Sequence, residues 1–242
     1  MDSSYMITQA GFIATTVIFY GLLLIQLKKS LIAANFTESK KKRIFNGTLI
    51  SLTGWAIATF ILSWSGFLSD FSSFPPKMMI VLVIPLVTII WTVRTKEMKE
   101  ILLHTPPESI IWIQSFRIVV EILLWRLYVD NLAPIQMTFE GYNFDILSGL
   151  TAIVVAFLVT RNKVPSQLVI AWNFACLALL LNIVTIAILS LPTPFRVFMN
   201  EPANTIVTKF PIVWLPALLV PLAYGLHFLS LKQWLGNREI RK

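Results

Sequence analysis

The sequence predicts an all-α integral membrane protein with seven transmembrane helices, and three observations carry that prediction. Over 242 residues the composition is 56% hydrophobic and 13% charged, with a mean hydropathy of +0.75, too apolar for an ordinary soluble globule. Seven mostly apolar runs recur along the chain, and at about 1.5 Å rise per residue most can cross a hydrocarbon core of about 30 Å. The segments between them alternate between basic and non-basic, as loops on opposite sides of a membrane do.

The first run, 7–27, follows MDSSYMIT, where Asp2 stands in place of the basic residues of a secretory leader, so the run is expected to remain in the mature chain. The second, 45–67, sets Thr48, Ser51, Trp55, Thr59 and Ser63 along one helical face. Such a stripe either joins helices or lines a polar path. The third, 77–93, holds Pro85 in mid-span, which frees the carbonyl of Val81. The fourth, 109–129, is charged and is taken up below. The fifth, 146–160, is short. The sixth, 166–190, carries Asn173 and Asn182 on opposite faces, together with Cys176, which has no partner in the chain for a disulfide or a cysteine metal cluster. The seventh, 211–231, contains Pro221, which frees the carbonyl of Ala217, and it places Tyr224 and His227 on one face. Pro85 and Pro221 are candidate hinges, or kinks satisfied by packing.

Lys and Arg mark the cytoplasmic side. One set of alternate loops holds fifteen of them, including Lys28, Lys29, Lys40, Lys41, Lys42 and Arg43; the other holds Lys77, Arg196 and Lys209. The N-terminus is therefore expected outside and the C-terminus in the cytoplasm, in a bacterial inner membrane or another cytoplasm-facing membrane. The net charge of +8 goes with the basic loops, which implies contact with anionic lipid headgroups on the inner face and no nucleic-acid partner.

Internal similarity suggests a plan. Phe74-Pro75 aligns with Phe210-Pro211 and Pro85-Leu86 with Pro221-Leu222, while GFIAT from Gly11 aligns with GLTAI from Gly149. The matches point to a parallel pseudo-repeat of 7–93 and 146–231 joined by a linker helix over 109–129. This layout of three, one and three helices resembles that of sugar-transporting SWEET proteins, bacterial nicotinamide riboside transporters and trimeric intracellular cation channels. The likeness lies in the layout, since their sequence motifs are absent here; it implies a transport function.

The linker stretch QSFRIVVEILLWRLYV carries charge where lipid is expected. Gln114, Arg117, Glu121, Trp125 and Tyr128 fall along one face, and the other faces are Ile, Val and Leu. Arg117 and Glu121 are four residues apart and so within reach of a direct pair. From an inner boundary near Ser109 they lie roughly 12 and 18 Å deep. Charge at mid-membrane costs about 2.5–3.5 kcal/mol on insertion scales, so this face should turn into the bundle. Two readings stand, a structural ion pair and a polar site for solute, ion or proton. Arg126 points elsewhere and is expected to snorkel outward toward Asp130.

The following loop offers Asp130, Glu140, Asn143 and Asp145, oxygen ligands that could bind a hard cation or concentrate cations at a pore mouth. Asn143 or Asp145 could equally cap the fifth span. A haem would need both histidines, His104 and His227, and the expectation is no cofactor; His227 reads first as a neutral contact between helices. Trp112, Trp125, Trp214 and Trp234 fall near predicted helix ends, as an interfacial belt requires. The last span has no Schiff-base lysine, and the chain lacks zinc-ligand spacing, GxSxG, GxxxxGK[ST] and GxGxxG motifs. The leading expectation is thus a secondary transporter or channel for a small polar or charged solute or ion, with Arg117 facing an anionic group and Glu121 a cation or proton. Behind it stand a receptor-like or scaffold protein that binds a lipid or partner helix, and an intramembrane lipid-modifying enzyme using Glu121 or His227. A homo-oligomer is compatible with each.

Overall fold

The computed structural model describes residues 3–73 and 75–240, without the side chains of 237–240. Asp2 and Phe74, used in the sequence argument, lie outside the described residues, as do Arg241, Lys242 and the side chain of Arg238, three of the fifteen basic residues counted on the cytoplasmic side. Every regular element among the described residues is helical: α1 (Ser3–Ala33), α2 (Glu38–Trp64), α3 (Met79–Arg94), α4 (Lys96–Leu103), α5 (Pro107–Ile113), α6 (Phe116–Val129), α7 (Ile146–Thr160), α8 (Ser166–Leu189) and α9 (Val220–Ile240). Four helices, Ser3–Ala33, Glu38–Trp64, Ser166–Leu189 and Leu215–Gly236, are long and apolar enough to cross a membrane. A fifth follows if α3 and α4, bent by 72°, count as one broken span. Their outer faces are apolar, with Ile50, Trp91 and Phe174 more than half exposed, as a lipid environment requires.

The fourth predicted run is two helices. At Gln114–Ser115 the bonding tightens to i+3: Gln114 N–H donates to Ile111 O, Ser115 N–H to Trp112 O and Arg117 N–H to Gln114 O. The break lets α5 pack on α7 and α9 while α6 packs on α1 and α7. The bend after α3 has a different cause. Thr95 is extended (φ −66°, ψ 156°) and its Oγ1 accepts from Met98 N–H at 3.2 Å, capping α4. Lys232 Nζ clamps the corner by donating to Val93 O and, at 3.0 Å, to Thr95 O. Before α3, Lys77 and Ser72 hold the Asp70 carboxyl far below the usual carboxylate range, Lys77 by a direct contact of 2.6 Å.

Two glycines seat α6 between its neighbours. A Cβ on Gly11 of α1 would stand 2.5 Å from Leu123 Cδ2, and one on Gly149 of α7 would stand 2.8 Å from Ile118 Cγ1 and 2.9 Å from Ile118 N. A side chain on Gly149 would meet the backbone of Ile118 and force α6 away, so the closeness of α7 depends on that residue, whereas Leu123 Cδ2 is the movable end of a side chain that can turn aside from a Cβ on Gly11.

Ahead of α9, Leu215–Leu219 form one π-helical stretch holding Pro216, with Pro221 just beyond. The carbonyl of Ala217, freed by Pro221, accepts from Trp55 Nε1 at 3.0 Å. Its neighbour Leu218 O accepts from Tyr20 Oη at 3.0 Å, and Trp214 Nε1 donates back to Ala56 O at 3.3 Å. The stripe on α2 thus serves as helix-joining surface: besides Trp55, Ser63 Oγ donates to Thr208 O at 2.7 Å, whereas Thr48 and Thr59 bond within their own helix. Pro85 lies inside α3, which continues through it.

Trp55→Phe should lower stability by about 1–3 kcal/mol, because it leaves a buried carbonyl without a donor; the thermal midpoint in detergent reports it. Gly149→Ala should cost about as much through overpacking, since Ile118 N is backbone and cannot swing aside. A wild-type midpoint for Gly149→Ala would refute the close approach.

Candidate functional site

Arg117 and Glu121 project from consecutive turns of α6 into the bundle, and each is 2% exposed. They do not pair with one another. Arg117 Nη1 lies 3.2 Å from Asp145 Oδ1, the only carboxylate within ion-pair distance of the guanidinium among the described residues. Glu121 Oε2 instead accepts from Asn143 Nδ2 at 2.6 Å. The expected i,i+4 pair is displaced because the loop before α7 folds inward and the Gly149 contact brings the start of α7 against α6.

That loop is organised around Asn143, which is fully buried. Its Nδ2 also donates to Met137 O at 3.0 Å, and its Oδ1 accepts from Asp145 N–H at 3.1 Å. Asp145 takes the N-cap position of α7, yet its side chain makes no capping bond; Oδ1 accepts from Ser148 Oγ at 3.0 Å and faces Arg117. A carboxylate there also meets the positive end of the α7 dipole. The other loop groups go elsewhere. Glu140 accepts from Trp125 Nε1 at 2.8 Å, and Asp130 accepts from Ser4 Oγ at 3.0 Å. The four oxygen-bearing residues therefore do not converge, and no three His, Cys, Asp or Glu side chains among the described residues are placed to hold a metal. Arg126 does not simply snorkel to Asp130: it donates to Thr8 Oγ1 at 3.1 Å and reaches Asp130 through Ser4.

Arg117 and Glu121 line a cavity of about 80 Å³. It forms where α6 parts from α9, which packs on α5 below the helix break, and α3 and α8 complete its sides. Leu82, Leu124, Leu180, Ile183 and Leu219 supply apolar walls, while Arg117, Glu121, Asp145 and Asn204 bring polar groups. No described residue accepts a hydrogen bond from Nε, Nη1 or Nη2 of Arg117, because the Asp145 contact lacks the geometry for one. A guanidinium carries five N–H donors, so this is a large unmet demand inside an apolar shell.

The remaining predicted residues are dispersed. Gln114 is buried at the α5–α6 break, with Nε2 donating to Ala223 O at 3.4 Å. Trp125 and Tyr128 are half-buried and outside the cavity lining. His227 is fully buried, its Nδ1 2.8 Å from Asn173 Oδ1. Asn173 Nδ2 donates to Val169 O and Ser230 Oγ, which fixes Oδ1 as the acceptor and puts the imidazole proton on Nδ1. Tyr224 is half-buried and stands 6.0 Å, ring to ring, from Phe228. His104 is occupied by Glu100 at 3.2 Å, far from this arrangement in role and partner. Asn204 was not legible in advance. It sits in an irregular loop, donates to Ala187 O at 3.1 Å, and leaves Oδ1 without a described donor at the cavity.

Arg117→Met should cost about 3–5 kcal/mol by stranding Asp145 in the interior. Adding Asp145→Asn should recover most of that loss, and denaturation of both variants in detergent measures the coupling. Additive effects would show that the pair is not energetically linked.

The model of a family described as a domain of unknown function, DUF8737, matches residues 74–235. The matched segment runs from α3 through most of α9 and contains every residue that lines the cavity, leaving α1 and α2 outside. No curated protein and no solved structure matches the chain.

Proposed function

The chain belongs to that family, and we propose that it is an integral membrane carrier for a small organic anion with an apolar body, held by its acid group on Arg117. One observation carries this reading: a guanidinium shut away from the surface, with no hydrogen-bond acceptor among the described residues, at the polar end of an apolar cavity. A carboxylate or sulfonate matches the planar fork of N–H donors, and the leucine walls suit a short alkyl group. Size narrows the guest. The cavity of about 80 Å³ is smaller than the roughly 150 Å³ that admits benzene, so the guest has only a few heavy atoms, as acetate does. An acyl chain of membrane length is too large for it, which favours a carrier over a lipid receptor. Catalysis on lipid would need the substrate at Glu121 or His227; the cavity at Glu121 is too small for an acyl chain, and His227 is held by Asn173 away from the cavity lining.

Glu121 stands beside the anion and is the group that couples its movement to a proton. The seven expected crossings are then α1, α2, α3, the broken α5–α6 pair, α7, α8 and α9. Asn143 and the long loops lie outside, the basic end lies in the cytoplasm against anionic headgroups, and α6 is the linker between two triplets. The Gly11 and Gly149 contacts support the duplication, because the two aligned glycines press on α6 from either side.

Acetate should bind the purified protein calorimetrically, and Arg117→Ala should abolish the heat. Methanesulfonate, permanently ionised and unable to leak through lipid, should be taken up by proteoliposomes in response to a pH gradient. Glu121→Gln should keep acetate binding and lose the response to the gradient. Binding unaffected by Arg117→Ala would refute the anion site.

A further inference from the structure

The break at Gln114–Ser115 also shapes the outside of the bundle. On one side of it α6 lies between α1 and α7; on the other, α5 packs chiefly on α7 and α9. There α1 and α7 stand apart, and a groove of about 520 Å³ lined by α1, α5 and α7 runs between them. It is open to lipid, since Ile25, Trp112, Ile153 and Phe157 of its lining are all exposed.

The groove is graded along its length. On α1 the lining runs from Lys29 and Gln26 to Ile25 and Leu22, about 10 Å along the helix axis. On α5 it runs from Glu108 and Ser109 to Ile113, and on α7 from Thr160 to Ile153. These polar ends lie together. Ser30 of α1 is 2.8 Å from Thr105, just ahead of α5, and α7 runs opposite to α5 and α6, with Gly149 against Ile118 and Val155 and Val159 in one cluster with Ile111. The neutral groups at this end are already bonded: Gln26 Nε2 donates to Ser30 Oγ at 3.2 Å, Ser109 Oγ to Pro106 O at 2.7 Å and Thr160 Oγ1 to Ala156 O at 3.0 Å. Lys29 and Glu108 are not. Both line the groove, yet neither side chain has an ion pair or hydrogen bond with the other or with any other described residue. A second cation stands beside them, Arg161, whose guanidinium lies over the Phe157 ring at 5.1 Å from its centroid.

We infer that this groove holds one phospholipid from the leaflet on the basic side, with a headgroup that carries both a phosphate and a primary ammonium. Lys29 takes the phosphate, with Arg161 near it, and the Glu108 carboxylate accepts from the ammonium. An acyl chain follows the apolar lining toward mid-membrane. Charge selects the headgroup. A cation and a carboxylate in one groove, too far apart to pair, match a zwitterion. An anionic headgroup would leave Glu108 without a counter-charge, and a quaternary ammonium has no N–H to donate to it. Glu108 is half-buried, so water solvates it only in part and the headgroup supplies the rest. The inference rests on the chain's place in a membrane and is independent of the anion reading of the Arg117 cavity.

Native mass spectrometry of the full chain tests this, after mixing in detergent with equal amounts of phosphatidylethanolamine, phosphatidylcholine and phosphatidylglycerol bearing the same acyl chains. One phosphatidylethanolamine should be retained severalfold over either of the others. Glu108→Gln should abolish that preference, and Lys29→Ala should lower retention of all three, since each has the phosphate. Ile153→Trp should fill the groove and displace the lipid whatever its headgroup. These side chains lie at the surface of the bundle, so the thermal midpoint of each variant should match that of the wild type. Equal retention of the three lipids by the wild type, a preference that survives Glu108→Gln, or a lipid-free dimer would overturn the inference.

Discussion

A guanidinium in an apolar interior sets the terms for the structure around it. Withdrawing such an ion from water costs several kcal/mol even after relaxation, and a single well-placed carboxylate offsets that cost only in part. Arg117 meets Asp145 at 3.2 Å, and the contact requires α7 to begin against α6, with Ser148 and Gly149 of its first turn buried. That placement in turn needs Gly149, because any Cβ there would collide with the backbone of Ile118. It also needs Asn143, which bonds the Asp145 N–H, Met137 O and Glu121 at once and so folds the loop inward. One ion thereby dictates a helix contact, a glycine and the shape of a loop.

The same helix organises the bundle as a whole. α6 lies between α1 and α7, while α5, separated from it by two residues, packs on α7 and α9. Because the chain breaks at Gln114–Ser115, α9 follows α5 and leaves α6, and the divergence opens the cavity beside Arg117 and Glu121. An unbroken helix could pack along α9 for its whole length and close that space. The opposite wall is also irregular. The π-helical stretch at Leu215–Leu219 releases carbonyls that Trp55 and Tyr20 bind from α2 and α1, so the irregular backbone is satisfied by protein at a depth where lipid could not serve it. Cavity and irregularity coincide, because regular helices with apolar faces would pack together and leave no room.

Much of this was legible residue by residue. The freed carbonyl of Ala217 follows from Pro221 and the covalent structure of proline, and its partner Trp55 stood in a stripe already suspected of joining helices. The inward turn of Arg117 and Glu121 follows from the cost of exposing charge to lipid. Their partners were not legible: spacing favoured a bond between them, whereas Asp145 and Asn143, more than twenty residues on, took both. The break at Gln114 was hidden as well, since nothing in QSFRIV departs from ordinary helical composition. Asn204 gave no signal because a polar residue in a loop is expected to meet water.

The sequence by itself determined that the chain is helical and apolar, where α3, α7 and α8 begin and end to within about two residues, and which charges must avoid lipid, because each of these follows from the free energy of one residue or one periodic face. Only the tertiary structure decided which buried groups meet, where a run of helix divides and where space remains between helices. Those outcomes depend on competition among distant partners for the same donors and the same volume, and local propensity carries no record of who wins it.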